Sequence, residues 1–185
     1  MKTLIICLLL FAVPLFAYEG DFFYGFSAGA GSGEMRNNAF HIFDDYSRDP
    51  QLYPAEQGYS IQLQLGYVLL HDFRPGLVID SWSRTGTFDF DHLVITPVAT
   101  WFPGQNNFYI RPGAGISFTG VDYLERGDWH RKRDFGSAVS CAVGYVFKFE
   151  GMEIGPQIYY SGSVGKDLEV WASHYSLMVE INWAR

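Results

Sequence analysis

The sequence is poor in cysteine, in long apolar runs and in positive charge, and each shortage removes a class of protein. Only 2 Cys occur in 185 residues, Cys7 and Cys141. Cys7 sits inside an N-terminal apolar run, so the remainder holds a single thiol. An intrachain disulfide framework is therefore excluded, although an exported compartment would permit one. After that run, no stretch of roughly 18 uninterrupted apolar residues follows, which excludes a helical membrane protein. Lys+Arg total 13 against 20 Asp+Glu, so the balance is acidic and a general nucleic-acid binder is not expected. What is abundant is aromatic side chains, at 18%, and 20 Gly. With few Lys and Glu runs that favour helices, this composition points to an all-β chain.

The first residues, MKTLIICLLLFAVPLFA, place Lys2 before an apolar run from Leu4 to Val13, then Pro14, Leu15 and Ala17. This pattern predicts a secretory signal peptide over 1–17, with cleavage between Ala17 and Tyr18. The run is too short to span a bilayer as a helix. Cys7 lies within it rather than after it, unlike a lipoprotein attachment cysteine. Residues 18–185 are then one domain by length.

That domain divides into eight segments of period-two alternation: Phe22 to Gly31, Gln57 to Leu70, Gly76 to Ser83, His92 to Phe102, Phe108 to Val121, Phe135 to Phe149, Glu153 to Gly162 and His174 to Trp183. The breaks after the second, fourth and sixth are the short HDFRP, PGQNN and EGM, which read as tight turns. The others are longer: a polar stretch near Glu34 to Glu56, then RTGTFDFD, LERGDWHRKRD and KDLEVWAS, all expected to be loops. Short turns at one end and long loops at the other predict an eight-stranded antiparallel up-and-down transmembrane β-barrel with both chain ends on the periplasmic side.

The alternation also assigns faces. Tyr59, Ile61, Leu63, Leu65, Tyr67 and Leu69 share one side, opposite Ser60, Gln62, Gln64 and Gly66. Val139, Cys141, Val143, Tyr145, Phe147 and Phe149 oppose Ser140, Ala142, Gly144 and Lys148, and Tyr175 to Trp183 alternate with His174, Ser176, Glu180 and Asn182. The apolar side continues for about ten residues, the length a tilted strand needs to cross a bilayer. A small soluble barrel would reverse the arrangement, apolar inside and polar outside. Aromatics gather at strand ends beside the short turns: Phe22, Tyr24, Tyr67, Trp101, Phe102, Phe108, Tyr109, Phe147, Phe149 and Trp183. They are expected to form a periplasmic aromatic girdle.

FYIRPGAGISF at 108–118, SAVSCAVGYVFKF at 137–149 and the closing HYSLMVEINW together resemble the small eight-stranded outer-membrane β-barrels similar to the outer-membrane protein A and X domains. The resemblance covers all of 18–185 and implies residence in the bacterial outer membrane, with outer-membrane lipid, lipopolysaccharide and the barrel assembly machinery as partners. The family's assembly signal ends on an aromatic residue; here Ala184 and Arg185 follow Trp183.

Side chains fill an eight-stranded barrel, so bulk porin conduction is not expected. Asp80, Arg111, Lys148, Glu153 and Glu180 are expected to point inward with Gln62, Gln64, Thr96, Ser117 and Gln157, as a mixed-sign network. A hydrolytic alternative rests on His174 and Ser176, two apart and so on one face of a strand, with Glu180 as orienter. Barrel lipases that trim lipid A look like this, though they typically follow Ser with Asn and turn the pair to lipid. Here Leu177 follows and the pair faces the lumen.

Asp89, Asp91 and His92 could ligate a divalent ion but lack a third fixed ligand, so neither a metal nor another cofactor is assigned. Arg126, Arg131, Lys132 and Arg133 would lie near lipopolysaccharide phosphates, which guanidinium and ammonium groups suit. Tyr46, Tyr53 and Tyr59 with Asp44, Asp45 and Asp49 offer a surface to a partner the sequence does not identify. The expectation is a non-enzymatic barrel acting in envelope integrity or surface interaction through its external loops. A hydrolase and an ion- or small-ligand-conducting barrel are the alternatives.

Overall fold

A computed structural model describes residues 22–37, 56–70, 72–84, 88–125, 128–166 and 170–184; the expected signal peptide and the cluster around Tyr46, Asp49 and Tyr53 fall outside them. The strands are β1 (Phe22–Asn37), β2 (Glu56–Tyr67), β3 (Phe73–Arg84), β4 (Phe88–Trp101), β5 (Phe108–Glu125), β6 (Asp128–Tyr145), β7 (Phe147–Phe149), β8 (Met152–Gly165) and β9 (Val170–Ala184). Consecutive strands pair antiparallel except β6 and β7, β9 returns to β1, and a β6–β8 ladder completes the ring. β7 continues the β6 register on β8 after a break at Val146, whose N–H donates instead to the Asn107 carbonyl at 2.9 Å. The two are one stave, so the barrel is eight-stranded, closed and up-and-down. Closure leaves no unpaired sheet edge, the condition for strands to sit in lipid.

The short turns hold. Leu70 bridges Phe73, Pro103–Gln105 form a single 3-10 turn, and Gly151 at φ 71 makes the tight turn between β7 and β8. The expected loops are shorter than the sequence suggests. LERGDWHRKRD is mostly the top of a long hairpin, in which Asp122 stands opposite Arg131 and Glu125 opposite Asp128. Phe88 and the residues after it belong to β4, and Val170 onward to β9. Outside lipid both faces of a strand are wet, so alternation stops while hydrogen-bonded pairing continues.

The exterior is the apolar side. Leu63, Val139, Ile158, Leu177 and Val179 are each more than 50% exposed. Outward-facing positions from Phe135 to Phe149 on β6–β7 and from Trp171 to Trp183 on β9 carry no charge at all. Such a contiguous surface would aggregate in water and is what a bilayer covers. Outward charges begin only near the loop end, at Glu34, Asp89, Asp91, Arg133 and Lys166, which mark an outer rim. At the other end Phe22 packs edge-on against Tyr67 and Tyr24 stacks on Trp183, both at 5.5 Å.

Phe102 and Tyr109 do not join that girdle. Both are buried in the lumen, because each follows an outward-facing aromatic, Trp101 or Phe108, and adjacent strand residues must face opposite sides. Lumen filling depends on pairing rings with glycines. A Cβ on Gly58 would lie 2.6 Å from the Trp82 ring, and one on Gly144 would lie 2.5 Å from the Tyr109 ring. The missing side chains are the space those rings occupy.

Candidate functional site

Alternation turns the polar residues of every strand into one lumen, and three tiers of contacts follow its length. At the short-turn end, Arg74 of β3 forks onto Glu153 of β8, with Nη1 to Oε2 at 2.6 Å and Nη2 to Oε1 at 2.8 Å. Its guanidinium lies 4.5 Å from the centroid of the Phe102 ring, so the charge is neutralised and capped by an aromatic face. Lys148, expected inside, is exposed at this mouth. It stands on β7 opposite Glu153, and its ammonium lies 5.7 Å from the centroid of the Phe102 ring.

In the middle tier Arg111 of β5 donates Nη2 to Glu180 Oε1 of β9 at 2.7 Å, Nε to Thr100 at 3.0 Å and Nη1 to Gln157 Oε1 at 3.3 Å. Tyr109 and Asn182 also donate to the Glu180 carboxylate, and Gln157 Nε2 donates to Gln62 Oε1 at 2.9 Å. Arg111 and Glu180 are 3% and 1% exposed, so this is a fully desolvated pair with several hydrogen bonds around it. Asp80, Gln64, Thr96 and Ser117 are likewise buried. Thr96 accepts from Ser140 at 3.2 Å.

The upper tier is a file of imidazole, carboxylate and hydroxyl groups. His174 Nε2 lies 2.9 Å from Asp80 Oδ2, close enough for an ion pair but off the line of a hydrogen bond. His174 Nδ1 and His92 Nδ1 share a hydrogen bond at 3.0 Å, and His92 Nε2 meets Ser163 Oγ at 2.9 Å. Trp82 stacks on His174 at 5.7 Å between ring centroids and, with Phe90 and Ala172, closes the tier with an apolar cluster. A hydroxyl beside an imidazole that a second ring and a carboxylate orient is the geometry of an activated serine. Here Ser163 is 5% exposed and turned into the lumen.

The hydrolytic set of His174, Ser176 and Glu180 is not assembled. His174 engages Asp80 and His92, Ser176 shares a 2.6 Å hydrogen bond with Ser60, and Glu180 belongs to the Arg111 tier. Residues two apart do share a face, but their partners come from across the barrel and sit at different heights. Asp89, Asp91 and His92 are also separated: Asp91 is exposed and accepts from Ser83 Oγ at 2.8 Å, while His92 points into the lumen. Among the described residues no group of three or more His, Cys, Asp or Glu is arranged to hold a metal ion. Arg133 is exposed on β6, Arg131 and Lys132 are strand residues of the same hairpin, and Arg126 lies outside the described residues.

Ser163 and Trp82 escaped the sequence reading, and His92 entered it only as a possible metal ligand beside Asp89 and Asp91. Their signal was parity: Ser163 shares it with Gln157 and Ser161, and Trp82 with Asp80. His92 was masked by the acidic DFDH cluster, which reads as a loop.

No protein-family model and no curated protein matches the sequence. Solved structures do. The attachment invasion locus protein Ail of Yersinia pestis is similar at 12% identity and a TM-score of 0.62, over 90% of this chain and 100% of that one. Neisserial surface protein A is similar at 16% identity and a TM-score of 0.53, over 85% and 95%. At these identities the likeness speaks for the fold alone, and it agrees with the closed ring, the charge-free apolar belt and the polar lumen: the chain has the fold of the small eight-stranded outer-membrane β-barrels.

Proposed function

We propose that the protein is a non-enzymatic outer-membrane barrel that supports envelope integrity or surface interaction, with its function carried by the segments beyond the outer rim. The observation that carries this reading is the lumen. Its buried ion pairs Arg74–Glu153 and Arg111–Glu180, with the His174–Asp80 contact above them, favour a filled strut over a conduit or a catalytic cleft. Loops on a rigid scaffold are then the available surface for recognition. The barrel assembly machinery would recognise the β9 terminus, where Trp183 is followed by Ala184 and Arg185.

Cells lacking the protein, challenged with detergent and scored for survival, provide the test. Wild type should restore survival, and Ser176→Ala should restore it equally. A variant with residues 38–55 replaced by a short Gly/Ser linker should fail while still showing heat-modifiable migration. Full rescue by the shortened barrel, or an altered lipid A acylation pattern that Ser176→Ala abolishes, would refute the reading. Single-channel steps in planar bilayers would favour the conducting alternative.

A further inference from the structure

The upper lumen tier joins two buried imidazoles ring to ring, and its hydrogen bonds limit how many protons it can carry. The file climbs from Asp80 of β3 through His174 of β9 and His92 of β4 to Ser163 of β8, all of them buried. An ionised carboxylate only accepts, and it repels a bare nitrogen lone pair, so the His174 Nε2 that faces Asp80 at 2.9 Å carries a hydrogen. With both rings neutral, His174 Nδ1 then accepts from His92 Nδ1 across 3.0 Å, and His92 Nε2 accepts from the Ser163 hydroxyl at 2.9 Å. Every hydrogen in the file points toward Asp80.

A first added proton fits. It settles on His92 Nε2, the shared proton moves to His174 Nδ1, and the Ser163 hydroxyl turns from donor to acceptor. The charge then rests on His174, which faces the Asp80 carboxylate and stacks at 16° on Trp82 with ring centroids 5.7 Å apart. A second proton does not fit. All four ring nitrogens would carry hydrogen, so Nδ1–H would oppose Nδ1–H, and two positive charges would stand side by side out of water. The strand neighbours of the rings bring no further charge: Gly33 and Ser161 flank His174, while Trp82 and Thr119 flank His92. Tyr159 of β8, its ring 5.7 Å from His174, is a phenol and stays neutral in acid. Arg84 of β3 and Asp134 of β6, the other charged residues buried beyond the file, are each engaged already.

We propose that the His92–His174 pair is a proton-operated latch on the outer end of the lumen, holding with neither or one added proton and releasing with two. β4 and β9 are not neighbours in the sheet, so the imidazole bond ties them across the lumen. Trp82, Phe90 and Ala172 cap that tie, with the Phe90 ring 6.4 Å from His92, and separating the imidazoles dislodges the cap. The backbone ladders need no imidazole, so strand content survives while the outer end loosens. The second proton is added against the charge of the first, which assigns release to strong acid. The latch depends on the barrel fold and is independent of what the external segments recognise.

Titration of the folded barrel in detergent micelles from about pH 7 to about pH 2 tests it. Near-ultraviolet dichroism reads the aromatic cap, far-ultraviolet dichroism reads the strands, and nitrogen-15 NMR of labelled histidine counts the protons on each ring. Wild type should lose most of the Trp82 signal, defined by its difference from Trp82→Phe, in one step that coincides with both rings becoming imidazolium, at constant strand content. His92→Gln and His174→Gln each leave a single imidazole and should show no such step. The proposal is overturned by a step that persists in both variants, by one that accompanies the first proton or a loss of strands, or by no step down to about pH 2. Gel migration before and after heating at neutral pH separates the two levels of failure. A wild type without a heat-dependent shift undoes the barrel reading, whereas a normal shift with no acid step undoes the latch alone.

Discussion

Removing Arg111 should cost the barrel more than any other single polar substitution in the lumen. The guanidinium is 3% exposed and gives hydrogen bonds to Glu180, Thr100 and Gln157, while Glu180, at 1% exposed, has no route to water. Arg111→Met keeps much of the side-chain volume but leaves the carboxylate with only Tyr109 and Asn182 as donors. Breaking one partner of a buried pair costs about 3–5 kcal/mol, because the remaining charge stays desolvated. At about 1.4 kcal/mol per tenfold, that lowers the folding equilibrium constant at least a hundredfold. Arg111→Met/Glu180→Gln removes both charges and should recover a large part of the loss, since the pair's net worth is far smaller than the penalty for separating it. Urea unfolding in lipid vesicles, followed by tryptophan fluorescence and by the heat-modifiable gel shift, reads both variants. The reasoning fails if Arg111→Met costs under about 1 kcal/mol, or if the double variant is as unstable as the two single changes summed.

Other sites separate the tiers. Gly58→Val should destabilise by about 1–3 kcal/mol through overpacking against Trp82, and Trp82→Ala should lose about 3–5 kcal/mol; the same unfolding assay checks both. Lys148→Ala should change stability by less than about 0.5 kcal/mol because the residue is exposed. Glu153→Ala should cost several times more by stranding Arg74, and equal effects would contradict the assigned positions. Exchanging His92 for Phe should leave the gel shift intact while altering the near-ultraviolet dichroism of Trp82, whose ring stacks on His174; an unchanged spectrum would mean that the upper tier is not coupled through the rings.

Which side of the wall each residue takes was legible because the strand period is two and lipid enforces it along about ten residues. The closed antiparallel ring, the short turns and the inward course of Asp80, Arg111, Glu153 and Glu180 all follow from that parity. Where the bilayer ends, the enforcement ends. The Asp122–Arg131 region therefore read as loop although it is paired strand, and Lys148 read as lumen although it is exposed in the short β7 at the turn end. Phe102 and Tyr109 show the opposite error: grouping aromatics by nearness to a turn overrode the parity that puts each inside.

What parity cannot supply is height. Strands in a barrel are tilted and staggered, so two inward residues meet only if the cumulative register brings them to one level. Ser60 meets Ser176 across 116 positions of sequence and Arg74 meets Glu153 across 79, and neither separation has a local signature. The His174–Ser176 pair looked reactive for the same reason: adjacency along one strand was read as adjacency in space. In a narrow barrel a side chain reaches inward, so its partners belong to other strands. Two residues of one strand separated by a single outward neighbour then serve different levels, as His174 with Asp80 and Ser176 with Ser60 do. Catalytic sets in such a lumen have to be sought across the register rather than along the chain, and the nearest approach to one here, Ser163 with His92, His174 and Asp80, draws its residues from β8, β4, β9 and β3.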